Sequence, residues 1–273
     1  MRIDAIMTIL SLPATDMVEL TQPERQQLLL ERINQDGRIM AARMAVELRV
    51  SEDTIRRDLR ELADAGLVQR FHGGAIRRAT SAAAFVERLN DQPPAKDALA
   101  VRGLTEIRPG MTVLLDQSTT LLALARKLPA GSDVTILTPA PDIALAALDA
   151  GIREVIQIGG RLDRSMRSAS GAAALAAIGN LRPDLCFLGV CALDTQAGIT
   201  AMDYDDACLK RAMIEVSTRV VALVTAEKLG TTSPHKIGPL SWLDRLVTPA
   251  GAGEALARSC RVAGVELDLV ETA

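Results

Sequence analysis

The sequence predicts a small, mainly helical domain closed by a β-hairpin, followed by a larger α/β domain whose mostly parallel sheet carries helices on both faces. Three observations lead there. At 273 residues with 48% apolar content, the chain is long enough for two domains and apolar enough to bury a large core. Between residues 21 and 78, apolar positions recur at helical spacing and then give way to a strand–turn–strand pattern. From residue 95 onward, short apolar runs alternate with Ala- and Leu-rich helical segments, the pattern of a sheet buried on both sides.

The helical domain is assigned to residues 21–78, after an N-terminal tail at 1–20. Thr21 and Glu24 have the spacing of a capping box, and Leu28, Leu29, Leu30 and Ile33 form an apolar pattern that ends at Asp36-Gly37. A short helix runs from Ala41 to Leu48. Ser51 caps a third helix that continues to Ala65 and stops at Gly66. Leu67 to Arg70, then Phe71-His72-Gly73-Gly74, then Ala75-Ile76 reads as strand, tight turn, strand. Two helices joined by a tight turn and followed by a hairpin make a winged helix-turn-helix.

In the third helix, Ile55, Leu59 and Leu62 form the inward stripe and leave Arg56, Arg57 and Arg60 outside. Arginine is well suited to paired contacts with guanine edges and with phosphates. Ser51, Thr54, Arg56 and Arg57 are therefore candidates to enter a major groove, with Arg60 beside them. Arg70, His72 and Arg77 are candidates for phosphate contacts through the wing. Residues 21–80 hold eleven Arg against nine Asp and Glu, on a chain whose net charge is −3. That asymmetry suits DNA, and an ordinary solvated helical face would share it.

Residues 79–94 read as a linker, broken by Asn90-Asp91-Gln92-Pro93-Pro94. In the α/β domain, residues 95–273, strands are expected at Thr112–Leu115, Val134–Leu137, Glu154–Ile158, Leu185–Val190, Val220–Val224 and Arg245–Val247. Helices are expected at Ala95–Glu106, Thr120–Leu128, Ala140–Ala150, Ala172–Leu181 and Asp206–Ser217. Ligands of such sheets bind beyond the carboxyl ends of the strands. Four polar loops fall there. Asp116, Gln117, Ser118, Thr119 and Thr120 precede a helix, whose free N–H groups attract anions. Gly159, Gly160 and Arg161 follow the third strand, with Arg164 and Arg167 close behind. Asp194 to Lys210 contains Asp203, Asp206 and Lys210, and Thr225 to Lys228 ends on a cation. Singly these are also what an empty N-cap, a simple turn or a solvated face would leave. Together they point to an anionic-ligand pocket.

The composition excludes other classes. Aromatic residues make up 2% of the chain, too few for the stacking platforms of single-strand nucleic-acid binding. Cys186, Cys191, Cys208 and Cys260 form no CxxC pair, and His72 and His235 are the only histidines, so no metal site or cofactor is expected. Free thiols suit a reducing cytoplasm. No apolar run reaches the ~18 residues of a membrane span, and no membrane partner is expected.

Residues 25–76 resemble the N-terminal signature of the DeoR family. The match is carried by Ser51, Thr54, Arg56, Arg57, Asp58, Leu59, Leu62, Gly66 and Arg70, and by the run His72 to Ala75. Phe85, Glu87, Arg88 and Lys96 look like the family's linker and first sensor helix. Asp184, Phe187, Gly189, Gly198, Thr200 and the run Lys210 to Glu215 continue the match. The resemblance implies a sensor domain folded like ribose-5-phosphate isomerase and glucosamine-6-phosphate deaminase. It also implies a repressor of carbohydrate-metabolism genes that leaves its double-stranded operator when a phosphorylated sugar binds. The effector would meet Asp116, Ser118, Thr119, Thr120, Gly160, Arg161, Asp206, Lys210 and Lys228. Three departures stand out: Ser118 replaces a glycine of the phosphate loop, Pro139 an asparagine, and Thr225-Ala226-Glu227 the residues before Lys228. A helix-turn-helix reads paired half-sites, so a homo-oligomer, dimer or tetramer, is expected. The alternative is a sugar-phosphate isomerase or deaminase carrying a DNA-binding head, with Asp116, Asp203 and Asp206 as proton carriers. No acid/base constellation marks it, and no enzyme activity is expected.

Overall fold

The computed structural model describes residues 20–78, 85–89, 91 and 93–271. The tail assigned to 1–20 therefore lies outside the described residues except for Leu20, as do parts of the linker. The chain divides into two compact units, one up to Arg77 and one from Arg78.

The first unit begins with α1 (Gln22–Asp36), whose capping box is formed by Thr21 and Glu24 and whose end is Gly37 at φ 75°. Strand β1 (Arg38–Met40) leads into α2 (Ala41–Leu48), and α3 (Glu52–Asp64) follows, capped by Ser51. The wing is β2 (Val68–Phe71) and β3 (Gly74–Arg78), joined by His72-Gly73. The core gathers Leu29 and Ile33 of α1, Met44 and Leu48 of α2, and Ile55, Leu59 and Leu62 of α3. Strand β1 was not foreseen. It is too short for a period-2 signal, and it is held by antiparallel pairing to β3.

That pairing explains Gly74. A Cβ there would collide with the Ile39 carbonyl oxygen and come within 2.9 Å of the Phe71 ring. Gly74→Ala is expected to destabilise the first unit by about 1–3 kcal/mol, the range for overpacking, as read from its urea-unfolding midpoint.

The second unit opens with a short helix α4 (Phe85–Leu89), which fell inside the expected linker, and α5 (Pro93–Leu104). Strand–helix alternation follows: β4 (Thr112–Leu115), α6 (Thr119–Arg126), β5 (Thr135–Thr138), α7 (Pro141–Asp149) and β6 (Glu154–Gln157). A hairpin, β7 (Arg161–Asp163) and β8 (Ser168–Ser170), leads to α8 (Ala172–Gly179) and β9 (Leu185–Leu188). Next come β10 (Ala192–Asp194), β11 (Gly198–Ala201), α9 (Tyr204–Val216) and β12 (Val220–Leu223). The chain ends with β13 (Thr231–Thr232), β14 (His235–Gly238), β15 (Arg245–Pro249), α10 (Glu254–Ala263) and β16 (Glu266–Val270).

Seven strands form one parallel sheet in the order β16-β15-β12-β9-β4-β5-β6. Its two faces alternate residue by residue. Val113 and Leu115 of β4 join one apolar core with α5, α6 and α7, while Leu114 joins the other with α8 and α9. Strands β10, β11 and β14 form a separate antiparallel sheet. The expected parallel-sheet strands are all present, shifted by a residue or two at their ends. Alternation did not reveal the short antiparallel pieces, α10, or the edge strand β16.

The strand order has a functional consequence. From β4 the chain winds outward to β5 and β6, then returns to β9 on the other side of β4 and winds the opposite way. The carboxyl ends of β4 and β9 are therefore the switch point of the sheet, where open α/β folds hold their ligands.

Candidate DNA-binding and ligand-binding sites

In the first unit, Ser51 at the start of α3 accepts a hydrogen bond from the Thr54 backbone N–H at 3.0 Å, and the two hydroxyls lie 2.8 Å apart. The cap leaves Arg56, Arg57 and Arg60 exposed on the outer face. Arg56 is tethered to Glu52 one turn back, at 2.7 Å, whereas Arg57 and Arg60 make no ion pair among the described residues. A cleft of about 270 Å³ separates α3 from the wing, lined in part by Arg56, Arg60, Arg70 and His72. The fold thus joins four of the expected DNA contacts in one basic concavity. Ser51, Thr54 and Arg57 sit along the same helix outside the cleft lining, and Arg77 is half-buried on β3.

One charged residue of α3 faces the other way. Asp58 is 1% exposed and paired through both its oxygens by Nε and Nη2 of Arg25 from α1. The sequence match includes Asp58, but its burial was not anticipated.

In the second unit, the loop after β4 meets α9 and the end of β9 at the switch point. The Asp116 side chain accepts hydrogen bonds from the Gln117 N–H (2.7 Å) and the Gly189 N–H (2.8 Å). Gly189 must be glycine: a Cβ would strike the Gln117 carbonyl oxygen and crowd Asp116 at 2.9 Å. Lys210 Nζ lies 2.6 Å from Asp116 and 2.9 Å from Asp206, and Gln117 donates to Asp206 at 2.6 Å. All three charged groups are 4% exposed or less. Burial alone would push the Lys210 ammonium down, but Asp116 and then Asp206 outweigh it and hold it above the usual lysine range.

Ser118, Thr119 and Thr120 form the start of α6. The Ser118 hydroxyl accepts from the Thr120 N–H at 3.2 Å, so this chain caps the helix terminus with its own side chain. The Thr120 hydroxyl and Asp206 Oδ2 are buried, and neither has a hydrogen-bond partner among the described residues. A cavity of about 30 Å³ lies beside Asp206, walled by Gln117, Asp203 and Leu209 and by the β7–β8 hairpin with Arg161, Ser168 and Ser170. Gly160 leads into this hairpin, and Arg161 reaches Asp205 at 3.4 Å.

Lys228 stands apart from this cluster, on the short turn after β12. Burial lowers its ammonium from the usual range, and nearby Arg88 and Lys96 press the same way against Cys191 and Glu227. Glu227, one of the departures, receives a hydrogen bond from the Thr225 hydroxyl. Lys96 donates to the backbone carbonyls of Arg88, at 2.5 Å, and of Asp91. The fold therefore gathers Asp116, Ser118, Thr119, Thr120, Asp206 and Lys210 at the switch point, puts Gly160 and Arg161 at its rim, and gives Lys228 cationic neighbours on α4 and α5. Gln117 and Arg88 were not singled out as site residues. Among the described residues no cluster of three or more His, Cys, Asp or Glu could hold a metal, and no helix is long and apolar enough to cross a membrane.

An α3-and-wing head and a switch-point sheet define the class: a DNA-binding transcriptional regulator with a sensor domain. Residues 25–81 match the DeoR-like helix-turn-helix domain, and residues 91–250 match the DeoR C-terminal sensor domain. The chain belongs to the DeoR family. It is 34% identical to the HTH-type transcriptional regulator GlpR of Haloferax volcanii, over 82% of this chain and 89% of that one. It is 30% identical to the glycerol-3-phosphate regulon repressor of Escherichia coli K12, over 85% and 92%. Among solved structures it matches ribose 5-phosphate isomerase A of Methanocaldococcus jannaschii with a TM-score of 0.38 and 14% identity, over 51% of this chain and 55% of that one.

Proposed function

We propose that this protein is a repressor of carbohydrate-metabolism genes. It binds an operator as a dimer or tetramer and is released by a phosphorylated sugar or related anionic metabolite. The observation that supports the ligand reading is the switch point, where the loop Asp116 to Thr120 leaves the Thr120 hydroxyl buried with no hydrogen-bond partner among the described residues, and a cavity beside Asp206 is walled in part by Arg161, Ser168 and Ser170. A phosphate placed there would accept a hydrogen bond from the Thr120 hydroxyl and pair with the largely exposed Arg161 guanidinium. The relative named a glycerol-3-phosphate regulon repressor supplies the first compound to try. The regulator reading is favoured over an isomerase because the candidate proton carriers Asp116 and Asp206 are already held by Lys210.

Two measurements test this. Arg57→Ala is expected to weaken binding to a duplex selected by the full chain from a random pool by about 1–3 kcal/mol, read by fluorescence anisotropy. Equal affinity would refute α3 as the reading helix. Glycerol 3-phosphate and ribose 5-phosphate at millimolar concentration are expected to raise the melting temperature of the full chain, since stabilisation follows RT ln(1 + [L]/Kd). A shift with the unphosphorylated polyols alone would replace the phosphosugar reading with a neutral effector.

A further inference from the structure

The β7–β8 hairpin touches two things at once. On its inner side, Arg161, Asp163, Met166, Ser168, Ala169 and Ser170 wall the switch-point cavity. On its outer side, the Ser165 carbonyl accepts a hydrogen bond from the Phe85 N–H at 3.3 Å, and the Arg167 guanidinium lies 6.0 Å from the Phe85 ring. Phe85 is the first residue of α4 and is 2% exposed. In the sequence, that helix is the first element described after β3. The same helix carries Arg88, a cationic neighbour of Lys228.

The hairpin is stiff across its turn and unevenly anchored. Asp163 Oδ1 accepts from the Ser165 and Met166 N–H groups, at 2.8 Å each, and from the Ser165 hydroxyl at 2.6 Å. Arg167, at φ 52°, clasps Asp142 at the start of α7 through two bonds of 2.5 Å. At the rim, by contrast, Arg161 and Asp205 meet only at 3.4 Å with most of the arginine in water, a kind of pair that contributes little. The cavity holds about 30 Å³, far below the ~300 Å³ lower end of ordinary ligand clefts. A sugar-sized molecule entering beside Asp206 must displace this wall, and the weakly held rim is where the wall yields.

We propose that the β7–β8 hairpin transmits occupancy of the switch-point cavity to the linker helix, with Arg167 and Phe85 as the coupling residues. The proposal rests on the reading that this cavity admits the effector. A turn held rigid by Asp163 moves as a unit, so displacing Ser168 and Ser170 also moves the Ser165 carbonyl and the Arg167 guanidinium. The Phe85 N–H then loses its partner and the ring its Arg167 contact, and α4 shifts at its N-terminal end.

The test needs no ligand. Ser170→Leu fills the cavity from the hairpin side; Arg167→Ala and Asp142→Asn each break the outer clasp. In full-length protein, Ser170→Leu is expected to speed hydrogen exchange at the Phe85 amide and across residues 85–89. It is also expected to weaken binding to the selected duplex by about 5- to 150-fold, the usual span of allosteric coupling. Combined with Arg167→Ala, the loss should fall short of the product of the single losses by at least about twofold, because both act through one element. Unchanged exchange in α4 while the hairpin's own amides speed up, or a purely multiplicative double variant, overturns the proposal. Should Ser170→Leu fail to fold, Arg167→Ala and Asp142→Asn decide it through exchange at Phe85. If these variants behave as expected while no phosphorylated compound shifts the melting temperature, the effector reading fails and the coupling stands.

Discussion

Lys210→Met is expected to destabilise the second unit by about 3–5 kcal/mol, the cost of leaving buried charge without its partner. Methionine nearly matches lysine in length, so the change removes charge without opening a large cavity. What remains is Asp116 facing Asp206, both almost fully enclosed and with no cation between them. The sign of the pH dependence follows from Lys210 itself. Its folded value is raised above the ordinary 10.5, so its contribution is fully present below 10.5 and is lost only as pH rises through the higher folded value. Urea midpoints of the wild type should therefore show no loss from Lys210 between pH 7 and 10. A change within the ±0.5 kcal/mol or so typical of surface sites would mean that Lys210 reaches water.

This lysine also shows where the sequence was misleading. Between Asp194 and Lys210, charges are dense, and they read either as a solvated face or as ligand contacts. Yet Asp206, Lys210 and Met213 fall at i, i+4 and i+7, the same stripe that buries a helix in its core. Asp58 repeats the lesson in α3, one turn from Ile55 and Leu62. A charged residue on an apolar stripe signals a buried pair, and in both helices a partner lies on another element, Asp116 for Lys210 and Arg25 for Asp58. Periodicity cannot name that partner. The main strands were legible because each is a short apolar run closed by a turn. The β7–β8 hairpin was not, because Arg161 to Ser170 is polar and its strands are three residues each. The switch point was only half legible: the loop Asp116 to Thr120 could be placed after a strand, but the strand order that sets Gly189 against it comes from the crossover. Lys228 was legible as a cation, whereas the convergence of Arg88 and Lys96 upon it depends on how α4 and α5 fold back.

Arg25→Met is expected to cost the first unit about 3–5 kcal/mol by leaving Asp58 buried and unpaired. Small domains have little stability to lose, so a loss of this size should depress DNA binding through unfolding alone. That separates it from Arg57→Ala, where affinity falls while the urea midpoint holds. The pair ties α1 to α3, and the face of α3 opposite Asp58 carries the arginines that would meet DNA. A structural clamp makes a further demand. The double variant Arg25→Met, Asp58→Leu puts apolar groups on both sides of the contact, and such replacements are often neutral or stabilising. It should regain the urea midpoint and, with α3 seated again, most of the affinity for the selected duplex. If the midpoint returns and the affinity does not, the ion pair sets the angle of α3 as well as its stability, and an apolar contact cannot replace that part of its role.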